Sequence, residues 1–281
     1  MRRRLALFMG PLLALLVIPG AANASVSPGW IVVCPYSHSQ PDDPIGAPGA
    51  AGATHVHDFI GNNGTSATST YQSMVSGSST CGSSGDRAGY WIPALYRNGV
   101  QVKPAGSFGS HAVRQTIYYR ADNLLAGTKV EPFPADMRIV AGNSHATSPT
   151  DSPKLGKEIY WGCSDNSTGK LPAPPNCATG IVSLHIGFPN CWDGTLSHVD
   201  DTVHLRYPSS GVCPAGFTRP IVRLIERFEY PVGTDSSGIT LSSGATYTAH
   251  GDFWNTWDQA TLARLTANCL NGSVICGNNP A

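Results

Sequence analysis

The sequence has few charged residues: Asp, Glu, Lys and Arg make up 13% of its 281 positions, with 18 basic and 18 acidic side chains. Because a nucleic-acid-binding domain needs a basic surplus, we expect no nucleic-acid partner. Glycine-rich phosphate-binding motifs and haem motifs are also missing, which disfavours a nucleotide-dependent enzyme. No Gly-x-Ser-x-Gly element is present, which disfavours a serine nucleophile.

Long apolar runs are missing beyond the N-terminus. Three consecutive arginines precede an apolar run at 5–18 and small residues that end at Ala24. This pattern predicts a secretory signal peptide over residues 1–24 and a mature chain from Ser25. The run is shorter than the roughly 20 residues that a membrane-spanning helix needs. We therefore expect a secreted, extracellular protein without a membrane span.

Cysteine, in contrast, is abundant, and all eight cysteines follow the predicted signal peptide. An even number of cysteines in a chain destined for an oxidising compartment predicts disulfides. A cysteine zinc site is disfavoured, because no Cys-x-x-Cys spacing occurs. The short spacings favour three pairs and leave a fourth: Cys163 with Cys177, Cys191 with Cys213, Cys269 with Cys276, and Cys34 with Cys81.

The apolar runs are short and are bounded by glycine, proline or asparagine, as in antiparallel all-β proteins. The predicted strands are 30–34, 116–120, 137–141, 159–163, 181–188, 202–207 and 221–230. One helical pattern starts at a cap formed by Asn255 or Thr256 and continues toward Cys269. The prediction is mainly β: an antiparallel β-sandwich-like domain with long loops, disulfides and a short C-terminal helix.

The domain organisation is predicted to be simple. Residues 25–281 contain no charge run, repeat or linker that would separate two halves, so we predict one domain. We expect it to act as a monomer. The Gly/Ser/Thr-rich stretch at 61–85 is predicted to be a long loop with a function.

Strand alternation assigns faces to several ionisable residues. In strand 181–188, His185 lies opposite the apolar face, and in strand 202–207 His204 does the same while Val203 points inward. In strand 221–230, Glu226 shares the apolar face, where burial raises the pKa of a carboxyl group unless it has a partner. Glu226 is either a general acid or, as we favour, half of an ion pair with an arginine.

The segment His55-Val-His57-Asp58-Phe59 is the most informative motif. Alternate side chains of an extended segment share a face, so both histidines and Phe59 should point the same way. Histidine has an ordinary pKa close to neutral, so a pair of histidines is suited to proton transfer.

Five ordered segments of the chain resemble the motifs of the DUF1996 family. They are Asp-Pro-Ile-Gly-Ala-Pro-Gly (43–49) leading into the histidine segment (55–61), Gly-Tyr-Trp-Ile-Pro-Ala-Leu-Tyr (89–96), Phe-Pro-Asn-Cys-Trp-Asp-Gly (188–194), the His204 segment ending in Tyr-Pro (207–208), and His-Gly-Asp-Phe-Trp-Asn-Thr-Trp-Asp (250–258). The family comprises secreted fungal and bacterial proteins of unassigned role, sometimes joined to wall- or carbohydrate-binding modules. The resemblance therefore implies an extracellular polysaccharide partner.

Two positions depart from the family pattern. Asp58 stands where the family commonly has an amide, and Cys81 stands alone where the family commonly has two cysteines. The first difference is expected to change the local charge of the site, and the second bears on the pairing of Cys34 with Cys81.

The first functional hypothesis is cleavage of an extracellular or cell-wall polysaccharide by a hydrolase or lyase. Such a reaction needs a proton donor and a proton acceptor. The candidate catalytic residues are His55, His57, His204, Asp193, His250 and Asp252. The candidate sugar-binding residues, which supply flat ring faces unless they are core residues, are Tyr90, Trp91, Trp192 and Trp254.

Two alternatives stay open. A divalent metal ion held by His55, His57 and a third group such as His204 would leave one coordination position for water. No other cofactor is implied. The second alternative is a non-catalytic carbohydrate- or wall-binding module, in which the same aromatic residues form the binding surface and the histidines are structural.

Overall fold

Two mainly antiparallel sheets form the body of the protein in a computed structural model, which describes residues 27–281. Strands account for 34% of residues and helices for 10%, so the mainly β prediction is confirmed. The predicted signal peptide, residues 1–24, lies outside the described residues. Within residues 27–281 no helix has the length and apolar character needed to cross a membrane.

The strands are numbered in chain order. They are β1 (Gly29–Val33), β2 (Tyr36–Gln40), β3 (His57–Gly61), β4 (Gly89–Pro93), β5 (Leu95–Arg97), β6 (Val100–Val102), β7 (Ser107–Phe108), β8 (His111–Ala112), β9 (Thr116–Arg120), β10 (Arg138–Gly142), β11 (Ile159–Cys163), β12 (Val182–Gly187), β13 (Cys191–Trp192), β14 (Leu205–Arg206), β15 (Arg219–Pro220), β16 (Arg223–Tyr230), β17 (Ile239–Leu241), β18 (His250–Trp254) and β19 (Ile275–Asn278). The helices are α1 (Tyr71–Val75) and α2 (Gln259–Leu265), and a π-helical turn, Thr266–Leu270, continues α2. Short 3₁₀ turns occupy Pro149–Asp151, Thr202–His204 and Thr246–Thr248.

The larger sheet has the strand order β11–β12–β16–β9–β1–β19, and the smaller has β10–β18–β4–β3–β2. Their facing side chains form one apolar core, because alternate residues of each strand point to the same side. The six-stranded sheet contributes Trp30, Tyr119, Leu184 and Phe228, and the five-stranded sheet contributes Tyr90, Ile92, Ile139 and Phe253. The predicted sandwich is therefore present.

A second, smaller core covers the opposite face of the five-stranded sheet. It contains Ile45, Phe59, Met74, Trp91 and Trp254. Met74 belongs to α1, whose first turn is closed by a capping box between Thr70 and Ser73. The stretch at 61–85 thus contains a short helix that helps to cover this face.

The four disulfides join the residues that the sequence spacing paired. The bonds are Cys34–Cys81, Cys163–Cys177, Cys191–Cys213 and Cys269–Cys276. No cysteine is free within the described part of the chain. The single cysteine at position 81 is sufficient for the first bond.

Two sequence predictions about secondary structure are wrong in detail. The segment predicted as strand 202–207 begins with a 3₁₀ turn, and Val203 is 64% exposed instead of inward. The side chain of Asp200 accepts a hydrogen bond from the Thr202 backbone N–H, and the Thr202 hydroxyl accepts one from the Val140 N–H. These polar contacts favour a turn over an extended strand.

The C-terminal helix starts later than predicted. Its N-cap is Asp258, whose side chain accepts a hydrogen bond from the Thr261 N–H. Asn255 and Thr256 lie ahead of this cap: their side chains donate to backbone carbonyls of residues 133, 134 and 87, and Asn255 Oδ1 accepts a hydrogen bond from the Trp257 N–H before the helix begins.

In the five-stranded sheet, β4 pairs with both neighbours over unequal lengths. Its ladder with β3 continues to Pro93, which lies opposite His57. Its ladder with β18 stops two residues earlier, at Trp91 opposite Asp252. Proline has no backbone N–H to donate, so Pro93 cannot extend the ladder toward His250.

Candidate functional site

Three histidine rings meet beside the end of β4. One nitrogen atom from each of His55, His57 and His250 lies within 4.8 Å of the other two. The Nε2 atoms of His55 and His250 are 3.1 Å apart, and the ring centroids of His55 and His57 are 4.3 Å apart. The shared orientation of His55 and His57 agrees with the strand alternation of the sequence.

The backbone fixes the orientation of two of these rings. His57 Nδ1 lies 2.8 Å from the carbonyl oxygen of Asp42, and His250 Nδ1 lies 2.8 Å from the carbonyl oxygen of Thr248. A carbonyl oxygen only accepts hydrogen bonds, so each Nδ1 carries the proton and donates it. Each Nε2 then presents a lone pair, and that of His57 is buried without a partner among the described residues.

The three imidazoles are electrically neutral at physiological pH. Burial, reinforced by the proximity of His250 and His55, lowers the pKa of His57 well below its ordinary value. Burial lowers the pKa of His250 to about 3, and it also lowers the pKa of His55. The cluster is therefore a group of lone-pair donors instead of a cationic patch.

Asp252 is on the same face of β18 as His250, because the two residues are two positions apart on a strand. Both of its carboxylate oxygens are buried and lack hydrogen-bond partners among the described residues. Burial, followed by the charges of Asp43 and Glu226, raises the pKa of Asp252 well above the ordinary value. A carboxyl group left without partners is a feature of functional sites more than of stable cores.

The cluster borders a polar cleft of about 730 Å³. Its lining includes His55, His250 and Asp252, together with Asp43 and Asp200. Hydroxyl groups come from five further residues, Thr54, Ser144, Thr202, Ser242 and Ser243. Among the described residues that line it there is no lysine or arginine, so the cleft suits a hydroxyl-rich ligand better than a phosphate.

The structure does not bring His204 and Asp193 into this site. They form their own pair, with His204 Nδ1 2.9 Å from an Asp193 carboxylate oxygen. Neither residue lines the cleft. The third member of the histidine cluster is thus His250, and naming His204 in that place was wrong because its segment pairs with β13 in a separate small sheet.

The four aromatic candidates do not offer open ring faces. Tyr90, Trp91 and Trp254 have no solvent exposure, and Trp192 has 5%. Trp91 stacks on Phe59, and the Arg219 guanidinium lies over the Trp192 ring. Core packing, the alternative weighed for each residue, is what the structure contains.

Glu226 lies on the apolar face, as the strand alternation predicts, but it lacks the arginine partner that we favoured from the sequence. It is fully buried between the sheets, and both carboxylate oxygens lack partners among the described residues. A Cβ atom added to Gly251 would lie 2.9 Å from Glu226 Oε2, so Glu226 packs against the opposite face of β18 from Asp252. Burial raises the pKa of Glu226 well above its ordinary value. The favoured ion pair was a wrong prediction.

Asp58 also points away from the histidines. Its carboxylate accepts hydrogen bonds from Ser39, Gln101 and the Tyr230 hydroxyl. Adjacent residues on a strand face opposite sides, so the substitution of an acid for the family's amide changes the inter-sheet core instead of the cluster. Burial raises the pKa of Asp58 to about 6.

Sequence reasoning did not select several residues of the cleft. Asp43 and His145 line it, and the Asp42 and Thr248 carbonyls orient two of the histidines. Asp43 begins the first family-like segment and Asp42 directly precedes it, so this position in the sequence was the signal that could have identified them. The roles of backbone carbonyls leave no trace in side-chain identity.

Fold and site together define a disulfide-linked β-sandwich protein with a histidine cluster at a polar cleft. A comparison with known families matches residues 43–257 to the family described as "Domain of unknown function (DUF1996)". The match spans most of the chain, so the protein belongs to this family, as its motifs predicted. No curated protein and no solved structure matches the chain.

Proposed function

We propose that this protein is a secreted, single-domain enzyme, active as a monomer, that cleaves an extracellular polysaccharide in the histidine-bordered cleft. The observation that carries the proposal is the cluster of three neutral imidazoles beside the cleft, together with the unpartnered Asp252 carboxyl. His55, His250 and Asp252 line the cleft, and His57 is buried. Groups of this kind transfer protons. Burying them without hydrogen-bond partners has a desolvation cost that packing does not offset.

The lining of the cleft supports a polysaccharide substrate. Serine, threonine, asparagine and aspartate side chains supply hydrogen-bond donors and acceptors that match sugar hydroxyl groups. An acidic polymer is disfavoured, because Asp43, Asp200 and Asp252 lie there with no lysine or arginine among the described lining residues. We therefore favour hydrolysis of a neutral glycan over elimination from a uronate polymer.

Hydrolysis joins the oxygen of water to the anomeric carbon and breaks the bond from that carbon to the departing oxygen. One proton must leave the attacking water, and the departing oxygen must gain one. In the proposed reaction the histidine cluster activates the water, and the Asp252 carboxyl exchanges the second proton. Asp43 provides a further carboxylate on the cleft wall.

The alternative of a non-catalytic glycan-binding module has less support. Such modules bind sugars on exposed aromatic rings, and the four rings proposed for that role are buried. A purely binding surface also gains nothing from a buried carboxyl without hydrogen bonds.

The test is product release from a panel of neutral and acidic wall polysaccharides, followed by mass spectrometry. We expect multiple turnovers by the wild type, with products that carry the mass of added water, and at least about 100-fold less from His57→Ala. His55→Ala, at a partly exposed ring, separates loss of catalysis from misfolding of the buried His57 variant. His111→Ala, at an exposed histidine of β8, is the control that keeps activity.

Retention of polymer without turnover would replace the enzyme proposal with the binding module. Products with an added double bond would replace hydrolysis with elimination. Full turnover by both His55→Ala and His57→Ala would remove the cluster from the mechanism.

A further inference from the structure

We propose that His55, His57 and His250 form a binding site for one divalent transition-metal ion of the zinc class, with an open coordination position toward the cleft. The inference rests on the proposed function only for the use of the ion in activating water. The binding itself is argued from the ligand atoms alone.

The spacing of the nitrogens fits such an ion. Zinc binds imidazole nitrogen at about 2.0–2.1 Å in tetrahedral geometry, which separates two ligand nitrogens by about 3.3 Å. The Nε2 atoms of His55 and His250 are 3.1 Å apart. All three nitrogens lie within 4.8 Å of one another, which is close to the spacing that one ion requires.

The protonation pattern also fits. A histidine that binds a metal usually donates its other ring N–H to a carbonyl or carboxylate, which fixes the tautomer and directs the lone pair at the ion. His57 and His250 both do this, through the carbonyls of Asp42 and Thr248. Two residues far apart in sequence therefore share the same ligand-type arrangement.

A hydrogen bond between histidines explains only part of this geometry. If His55 Nε2 carries a proton, it donates to the lone pair of His250 Nε2 and accounts for the 3.1 Å contact. His57 Nε2 is then left as a buried lone pair with no donor among the described residues. A cation satisfies all three nitrogens at once, whereas one proton satisfies two.

The charges around the cluster compensate a divalent ion. Asp43 and Asp200 line the same cleft as His55 and His250. Three neutral imidazoles leave the ion's charge uncancelled, and nearby carboxylates offset it. Three protein ligands with a solvent-accessible side are the pattern of catalytic zinc sites, whereas structural sites use four.

Imidazole ligands select among metals. An all-nitrogen set suits zinc, copper, nickel or iron, and it is poorly suited to magnesium or calcium, which prefer oxygen. A second grouping, Cys34, Cys81 and Asp86, does not compete for the ion, because its two sulfurs form a disulfide.

The test is calorimetric titration of the chelator-treated full protein with zinc chloride, with magnesium chloride as the comparison metal. We expect one zinc per chain, no magnesium binding at the same concentrations, and at least about 100-fold weaker zinc binding by His55→Ala and His250→Ala. His111→Ala is the matched control and should bind as the wild type does. Cobalt substitution gives a second readout, because tetrahedral nitrogen coordination produces a visible absorption band that the cluster variants should lack.

Absence of zinc binding by the folded wild type, or unchanged affinity in both cluster variants, would overturn the metal site. Zinc binding without release of sugar from any polymer would keep the metal site and overturn the proposed function. Turnover that survives complete zinc removal would keep the proposed enzyme function and show that the ion has no part in the reaction.

Discussion

Asp86 offers the sharpest quantitative test of the buried polar groups. Its carboxyl has no solvent exposure, accepts a hydrogen bond from the Tyr90 hydroxyl, whose oxygen lies within 2.9 Å of both carboxylate oxygens, and accepts another from the Ala88 N–H. Burial raises the pKa of Asp86 from 3.8 to about 7, because these hydrogen bonds only partly replace water. We expect Asp86→Asn to stabilise the protein at neutral pH.

The sign follows from proton binding. Between pH 4 and 7 the unfolded chain has lost the Asp86 proton while the folded protein keeps it, so wild-type stability falls as the pH rises through this window. A pKa difference of about three units corresponds to about 4 kcal/mol at pH 7 and above. Asparagine cannot ionise, so the variant avoids this loss.

The measurement is thermal melting of both proteins from pH 4 to pH 8. The melting temperature of Asp86→Asn minus that of the wild type should increase by roughly 8–16 °C across this range, given about 2–4 °C per kcal/mol for a chain of this size. Asp165→Asn is the control, because Asp165 is on an exposed turn where the pKa is lowered and the group stays ionised from pH 5 upward. A difference that does not change with pH would refute a raised pKa at Asp86.

The remaining predictions concern the core, the disulfides and the support of the cluster. Glu226→Gln should gain stability relative to the wild type as the pH rises, because burial raises the pKa of Glu226. The variant should also keep polysaccharide turnover. Melting curves at pH 5 and 8 and product assays check both results, and lost turnover in a stable variant would make Glu226 catalytic. Replacing Cys34 and Cys81 by alanine opens a 47-residue loop and should lower the free energy of unfolding, measured in urea, by about 4 kcal/mol. Replacing Cys269 and Cys276, which close a 7-residue loop, should lower it by about 2 kcal/mol. Equal losses would contradict the loop-closure explanation. Asp42→Ala removes the carboxylate that accepts hydrogen bonds from the Gly52 and Ala67 N–H groups, and so loosens the residue 42 carbonyl that orients His57. Zinc affinity measured by calorimetry should fall roughly 10–100-fold. Unchanged affinity would show that the carbonyl needs no support from this carboxylate.

Much of the larger sheet could be predicted from the sequence. The predicted strands 116–120 and 159–163 have the bounds of β9 and β11, because runs of β-branched and aromatic residues between turn residues leave little alternative. Strand β2, with the sequence Tyr-Ser-His-Ser-Gln, was not predicted. Its polar residues give no apolar alternation, and pairing with β3 at the edge of the sheet makes it a strand.

The site could be predicted in part. Two of its histidines are neighbours on one extended segment, so their spacing was informative. The choice between His204 and His250 was beyond such reasoning, because it depends on which distant segment crosses beside β4. A separation of 195 residues between His55 and His250 is bridged only by sheet topology. Burial of the aromatic motif residues likewise depends on how the two faces of the smaller sheet are covered.

The early end of the β4–β18 ladder at Pro93 has a consequence for how a ligand is received. β18 remains paired with β10 up to His250, and β3 remains paired with β4 up to Pro93. These pairings hold the two strands that carry His57 and His250 on either side of a gap that backbone hydrogen bonds cannot close. His57 and His250 therefore have their backbone conformations set before any ligand arrives. Little entropy remains to be lost when they engage it, so association should be limited by access through the cleft and not by rearrangement of the sheet.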